Sequence, residues 1–222
     1  HAALEEMAKE LGLPSEVALS VDRDIFDLLE VEYDTPAPYG ITPTGRFILT
    51  DYKNWGSYRV AKALGIVEVG KQPDPSGELY KVSGKWGKAG TPKMISTFIR
   101  DRTRADNWET DLQLNRYRVM LENRGLSVSR MQIQVTVRDG GLQAATSKGI
   151  TRNIYVIPIP RLVDSAVVGY FEVKARNLSI AMGSGNWTEP CNDAECWEGR
   201  KCKDYCDVAR HCIKGKLYMQ EG

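Results

Sequence analysis

Along this chain of 222 residues the spacing of apolar side chains switches repeatedly between the period of a strand and that of a helix, which a single-class fold cannot accommodate. Leu4, Met7, Ala8 and Leu11 share one helical face, and Gly12 and Pro14 end it. Residues 17–33 turn strand-like, in VALSV and then IFDLLEVEY. A connection with three Pro and two Gly (34–46) leads to a second strand, FILTDYK at 47–53, and the pair predicts an antiparallel hairpin. A helix follows from about Ser57 to Leu64, closed by Gly65.

Residues 66–106 read as an insertion with one apolar island at Met94–Ile99. The clearest helix spans 106–123, with Leu112, Leu114, Tyr117, Met120 and Leu121 on its buried side. Alternation over 127–137 predicts a strand, and Asp139-Gly140-Gly141 a turn. The prolines of IYVIPIP (154–160) predict an edge strand, and 161–182 reads as a last helix. Strands bounded by helices on both sides predict an α/β fold with a central mixed β-sheet flanked by helices. The core is expected over residues 1–182, with 66–106 inserted in it and a Cys-rich tail over 183–222.

Composition narrows the classes of function. Thirty Lys and Arg against 29 Asp and Glu leave a net charge of +1, so any nucleic-acid footprint must be local. With 42% apolar and 27% charged residues the balance is that of a globular chain. No apolar run approaches the roughly 18 residues of a membrane-spanning helix, so no membrane partner is expected. No signal peptide is expected. Its five Cys, an odd number and all after residue 190, argue against a secreted disulfide framework and for an intracellular, cytoplasmic protein. The chain opens on His1 inside an apolar-periodic stretch, and an upstream segment is expected.

The sharpest chemical signal is Thr50-Asp51-Tyr52-Lys53 at the end of an apolar strand. Alternation projects Asp51 and Lys53 to one side and Thr50 and Tyr52 to the other. The pair is either a surface ion pair or a metal ligand beside an amine that positions water. Asp27 interrupts the apolar run Ile25-Phe26-Asp27-Leu28-Leu29 on the preceding strand. A carboxylate there is either at an exposed edge or, if buried, bound to a partner or a metal, and two acids on neighbouring strands suit Mg²⁺. Gln113 and Tyr117, four apart on the long helix, are either core and flank or a pair facing a phosphate.

Taken in order, Asp27, then Asp51-Tyr52-Lys53, then Gln113-Leu114-Asn115-Arg116-Tyr117 resemble the RecB-like branch of the PD-(D/E)XK nucleases. His1-Ala2-Ala3-Leu4-Glu5 resembles that branch's His motif. The resemblance implies a restriction-endonuclease-like core and a Mg²⁺- or Mn²⁺-dependent deoxyribonuclease. It implies metal ligation by His1, Asp27, Asp51 and the Tyr52 carbonyl, with Lys53, Gln113 and Tyr117 also catalytic. Glu30, Glu32 and Asp34 compete with Asp27 for the upstream acid.

Cys191, Cys196, Cys202, Cys206 and Cys212 follow the pattern C-x4-C-x5-C-x3-C-x5-C. Clustered Cys favour metal, and the spacing leaves zinc and an iron–sulfur cluster open, with free thiols a further alternative. Within the resemblance, Cys202, Cys206 and Cys212 match the C-terminal triplet of the iron–sulfur nucleases, the AddB-type and CRISPR-adaptation exonucleases. A [4Fe–4S] cluster is then expected, with Cys196, or Cys191 as substitute, supplying the fourth thiolate.

Residues 81–118 carry nine Lys and Arg against four acids, with Trp86, Phe98 and Trp108 among them. That mixture suits DNA, single-stranded or at duplex ends, or else a solvated loop region. The leading expectation is a metal-dependent DNA nuclease, as an exonuclease, acting in recombination, repair or phage and CRISPR-type processing, in a larger helicase–nuclease or recombination complex. The rival readings are a non-catalytic DNA-binding module with a Cys-bound structural metal, and a redox or metal-sensing protein.

Overall fold

A computed structural model describes residues 15–19, 24–33, 43–185 and 190–220. The chain divides into two compact units, His1–Arg161 and Leu162–Gly222.

The first unit is built on a five-stranded sheet. β1 (Ser15–Leu19), β2 (Asp24–Tyr33) and β3 (Pro43–Trp55) come first, and β6 (Val128–Val137) and β7 (Ile154–Ile159) join in the order β1-β2-β3-β6-β7. Every neighbouring pair is antiparallel except β3 with β6, which run parallel. The sheet is thus mixed and flanked by helices, as the alternating periodicities predict. A parallel pair needs a long crossover. Here it carries α1 (Ser57–Leu64), β4 (Ile66–Pro73), β5 (Met94–Arg100) and α2 (Trp108–Glu122). Pro158 sits on β7, an edge of the sheet, where its missing N–H leaves no ladder bond unmade.

One face of the sheet is the core. Leu49, Ile133 and Val135 are fully buried and join Val60 of α1 and Leu114, Tyr117 and Leu121 of α2 in one apolar cluster. Burying each such large aliphatic chain contributes about 1.5–3 kcal/mol. All five core positions expected on α2 are buried: Leu112, Leu114, Tyr117, Met120 and Leu121. The Asp139 carboxylate, in the turn after β6, accepts from the Ser57 backbone N–H at 2.7 Å and its hydroxyl at 2.6 Å, capping α1 from outside the helix. Gly65 ends α1 at φ +66°, and a Cβ there would stand 2.0 Å from the Asp101 carbonyl oxygen. Both the dihedral and that approach require glycine.

The inserted stretch 66–106 is a two-stranded antiparallel ribbon of β4 and β5, a structure that its weak apolar periodicity did not announce. Ile66 packs on the core at its base.

The second unit holds α4 (Asp164–Ser184), α5 (Arg200–Asp204) and α6 (Ile213–Gln220); the short α3 (Gln143–Thr146) belongs to the first. The two compact units meet at Arg161 and Leu162, whereas the sequence divides the chain at 182 and 183. The helix after β7 groups with the Cys-rich tail, because Tyr170 and Lys174 reach Glu195 at 2.9 and 2.7 Å. No helix among the described residues is long and apolar enough to cross a membrane. The helix expected over 1–13 lies outside the described residues.

Candidate active site and Cys-rich tail

β3 carries Asp51-Tyr52-Lys53 in its second half, and its parallel register with β6 sets Asp51 beside Ile133 and Lys53 beside Val135 on the core face. Asp51 is 4% exposed, so this is no surface ion pair. Lys53 Nζ lies 2.7 Å from Asp51 Oδ2, an ion pair without hydrogen-bond alignment. The same ammonium donates to Gln113 Oε1 on α2 at 3.1 Å. Gln113 Nε2 in turn donates to the Tyr117 hydroxyl oxygen at 3.0 Å. Four of the five expected catalytic residues therefore form one bonded series from strand to helix. The i, i+4 spacing of Gln113 and Tyr117 is the local cause, since it stacks the amide and the phenol on one side of α2.

The amide orientation matters. With its Nε2 engaged by Tyr117, Gln113 turns an acceptor toward Lys53, whereas the flipped amide would set a donor against a cation.

The upstream acid is narrowed by register. Leu28 pairs with Thr50 and Leu29 with Leu49, so position 27 shares the face of Asp51 while 28 and 30 share the face of Thr50. Glu30 accepts from the Thr50 hydroxyl at 3.1 Å, and Gln132 donates to that hydroxyl from β6. Glu32 pairs with Arg46 at 3.1 Å. Both therefore bond to partners other than Asp51. Asp34 and His1 lie outside the described residues, as does the side chain of Asp27. Tyr52 sits between Asp51 and Lys53 with its side chain on the opposite face, so it meets them through its backbone.

Among the described residues no three His, Cys, Asp or Glu side chains are arranged to hold a metal ion. At the strand site the described donor is Asp51 alone, which suits a cation that takes one or two protein carboxylates and fills its shell with water and phosphate.

Asp111, in the first turn of α2, is a further unusual group. Burial, and then the neighbouring Asp106, push its carboxyl up to about 6 against an opposing pull from Arg59. Its Oδ1 is buried without a hydrogen bond. The folded chain therefore holds more protons than the unfolded one between about pH 4 and 6. Stability falls as pH rises through that window and levels off above it. Asp111→Asn is expected to remove this decline and to gain about 1 kcal/mol at pH 7, a figure reduced for partial exposure. Urea denaturation from pH 4 to 8 measures it, and equal pH slopes for both chains would contradict it.

In the tail, Cys196 and Cys202 are buried with Ala209, and Cys206 and Tyr218 pack on them. Cys212 is partly buried and Cys191 exposed, and all five are free thiols. Burial first, and then the other four thiols with Cys196 foremost, raise the pKa of Cys202. The loop between the two buried cysteines is strained: Trp197 and Glu198 take φ +51° and +55° ahead of Gly199. The Cys196 carbonyl accepts from both Gly199 and Lys201. Left-handed non-glycine residues cost about 1 kcal/mol or more each and cluster where geometry serves a site. As packed, no three of these thiols form a group that could hold a metal ion.

Of the basic stretch 81–118, only part is an available surface. Arg118 is fully buried, Lys93 pairs with Glu78, Arg104 pairs with Asp101, and Arg100 donates to the Leu64 carbonyl. Phe98 packs where a Cβ on Gly149 would stand 2.8 Å from its ring. Lys81, Lys85, Lys88 and Trp86 remain exposed. Comparison with protein families, with characterised proteins and with solved structures finds no match for this chain.

Proposed function

We propose that this chain is a Mg²⁺- or Mn²⁺-dependent deoxyribonuclease of the RecB-like PD-(D/E)XK type, with a restriction-endonuclease-like core, acting as an exonuclease on DNA. One observation carries the reading: Asp51, Lys53, Gln113 and Tyr117 form a bonded series, although 60 residues separate Lys53 from Gln113. A structural ion pair needs neither a third nor a fourth polar member.

In this reading Asp51 is the fixed carboxylate ligand, and Asp27, His1 and the Tyr52 carbonyl complete the set. The bound cation supplies Lewis acidity to the scissile phosphate and acidity to its water. Lys53 has three N–H donors; one is given to Gln113, its charge pairs with Asp51, and a further N–H serves the attacking water or a phosphate oxygen. Its charge opposes the negative charge that develops on phosphorus oxygens in the transition state. Gln113 fixes the ammonium, and Tyr117 fixes Gln113.

The Cys-rich tail, with Cys196 and Cys202 buried together and Cys206 packed on them, supports a structural [4Fe–4S] cluster on Cys196, Cys202, Cys206 and Cys212, with Cys191 as the substitute ligand. The burial of Cys196 with Cys202 and the packing of Cys206 on them set the reading, and four thiolates are what such a cluster takes. The protein would work in the cytoplasm on single strands or duplex ends, within a helicase–nuclease or recombination assembly.

End-labelled DNA incubated with the chain in Mg²⁺, Mn²⁺ or EDTA is the first test. Metal-dependent release of label is expected, and no turnover with either ion would end the nuclease reading. Protein purified without oxygen is expected to be brown, with iron and sulfide in equal amounts. Colourless protein carrying one zinc would replace the cluster.

A further inference from the structure

The β4–β5 ribbon continues past its regular strands into a tight hairpin. Leu79 bridges Pro92, and Gly84 and Gly87 exchange backbone hydrogen bonds at 2.9 and 3.2 Å. Only Lys85 and Trp86 lie between those glycines, so they form the apex. Three further contacts stiffen it. Tyr80 and the 90–91 backbone bond across the ribbon, and the Ala89 N–H donates to Ser83 Oγ at 3.0 Å. The Tyr80 ring also lies so close to Gly87 that a Cβ there would be 2.4 Å from it.

What this rigid apex displays is unusual for a surface. Trp86 is 76% exposed and Val82 78%, and Lys85 Nζ stands 5.7 Å from the Trp86 ring centroid. From Leu79 to Lys93 the sequence holds four Lys and no acid. Lys93 is neutralised by Glu78, which leaves Lys81, Lys85 and Lys88 exposed on the same hairpin as the indole. An indole so exposed to water, with one ammonium beside it, suits a flat partner, and the unbalanced ammonium groups call for that partner to be anionic.

We propose that the Gly84–Gly87 hairpin is a binding element for single-stranded DNA, on which Trp86 stacks a base while Lys81, Lys85 and Lys88 contact the flanking phosphates. Base stacking on an aromatic ring combined with phosphate neutralisation is how single strands are held without sequence preference. A paired duplex hides its base faces, so the indole favours the unpaired strand. The inference rests on the nuclease reading for its biological sense and on the hairpin geometry alone for its binding chemistry.

The test is fluorescence anisotropy of a labelled oligothymidylate in EDTA, where no cleavage occurs. Trp86→Ala is expected to weaken binding roughly ten- to a hundredfold, while Trp86→Phe retains most of it. Lys85→Ala with Lys88→Ala is expected to lower the slope of log affinity on log salt by about 1.4, and Trp86→Ala to leave that slope unchanged. Equal affinity of wild type and Trp86→Ala overturns the proposal, as does Trp86-dependent binding to neutral lipid vesicles with none to the oligonucleotide. Trp86-dependent binding without cleavage in metal would uphold the hairpin and sink the nuclease; cleavage with binding indifferent to Trp86 would do the reverse.

Discussion

Replacing Lys53 with Ala is expected to lower Mg²⁺-dependent DNA cleavage by about 10²–10³-fold, the range for removing one preorganised charge from a transition state. The ammonium is 2.7 Å from Asp51 and 3.1 Å from Gln113, so its position is set from two sides before any substrate arrives. The loss is expected in kcat more than in KM, because a charge that acts on the transition state adds little to ground-state binding. The change also leaves the buried Asp51 carboxylate without its cation, and stability must be followed beside activity. Thermal melts with Mg²⁺ and with EDTA separate the two effects. A divalent ion bound to the native state raises the melting temperature by mass action. That rise should persist in Lys53→Ala and vanish in Asp51→Asn. Unchanged cleavage in a folded Lys53→Ala would refute the catalytic assignment. A Mg²⁺ shift retained in Asp51→Asn would put the ion elsewhere.

The parts of this site that could be read in advance are those governed by local geometry. Strand alternation assigned Asp51 and Lys53 to one face, and helical spacing assigned Gln113 and Tyr117 to one side of α2. Neither needed tertiary knowledge. That strand and helix meet is a long-range fact, and only the family resemblance anticipated it. Gly65 after an apolar helix was equally legible, because the left-handed cap has few alternatives to glycine. The ribbon at 66–106 was not. Its order comes from backbone hydrogen bonds and glycines instead of a buried apolar stripe, so it leaves little periodic trace. The grouping of 164–184 with the tail was also hidden. It depends on Glu195 capturing Tyr170 and Lys174, and nothing local to either segment marks that pairing.

Arg118 shows why charge is a poor guide to exposure, and it carries the largest stability effect expected here. By sequence it belonged to a basic surface, yet it is 0% exposed. Its NH1 donates to Glu122 at 2.8 Å and its Nε to Asn115 at 3.3 Å. Glu122 is shared with Arg161 at 2.6 Å, and Asn115 donates to the Pro160 carbonyl at 2.9 Å, so the group ties α2 to the chain leaving β7. Burial works against the Glu122 charge, but hydrogen bonds from Arg161 and then Arg118 hold its carboxyl below the usual range. Breaking a buried ion pair costs about 3–5 kcal/mol, and Glu122 keeps Arg161, so Arg118→Ala is expected near the lower end, about 3 kcal/mol. For a unit of this size that is roughly a 6–12 °C loss in Tm. Arg118→Met fills most of the volume without the charge and is expected to lose about 1 kcal/mol. Gln113 and Tyr117 lie on the same helix, so cleavage by Arg118→Ala should fail at a lower temperature than wild type, with Arg118→Met between them. Cleavage at low temperature should be near normal in both. A loss under about 1 kcal/mol for Arg118→Ala would mean that α2 is held on the sheet by its apolar face alone, through Leu114, Tyr117 and Leu121.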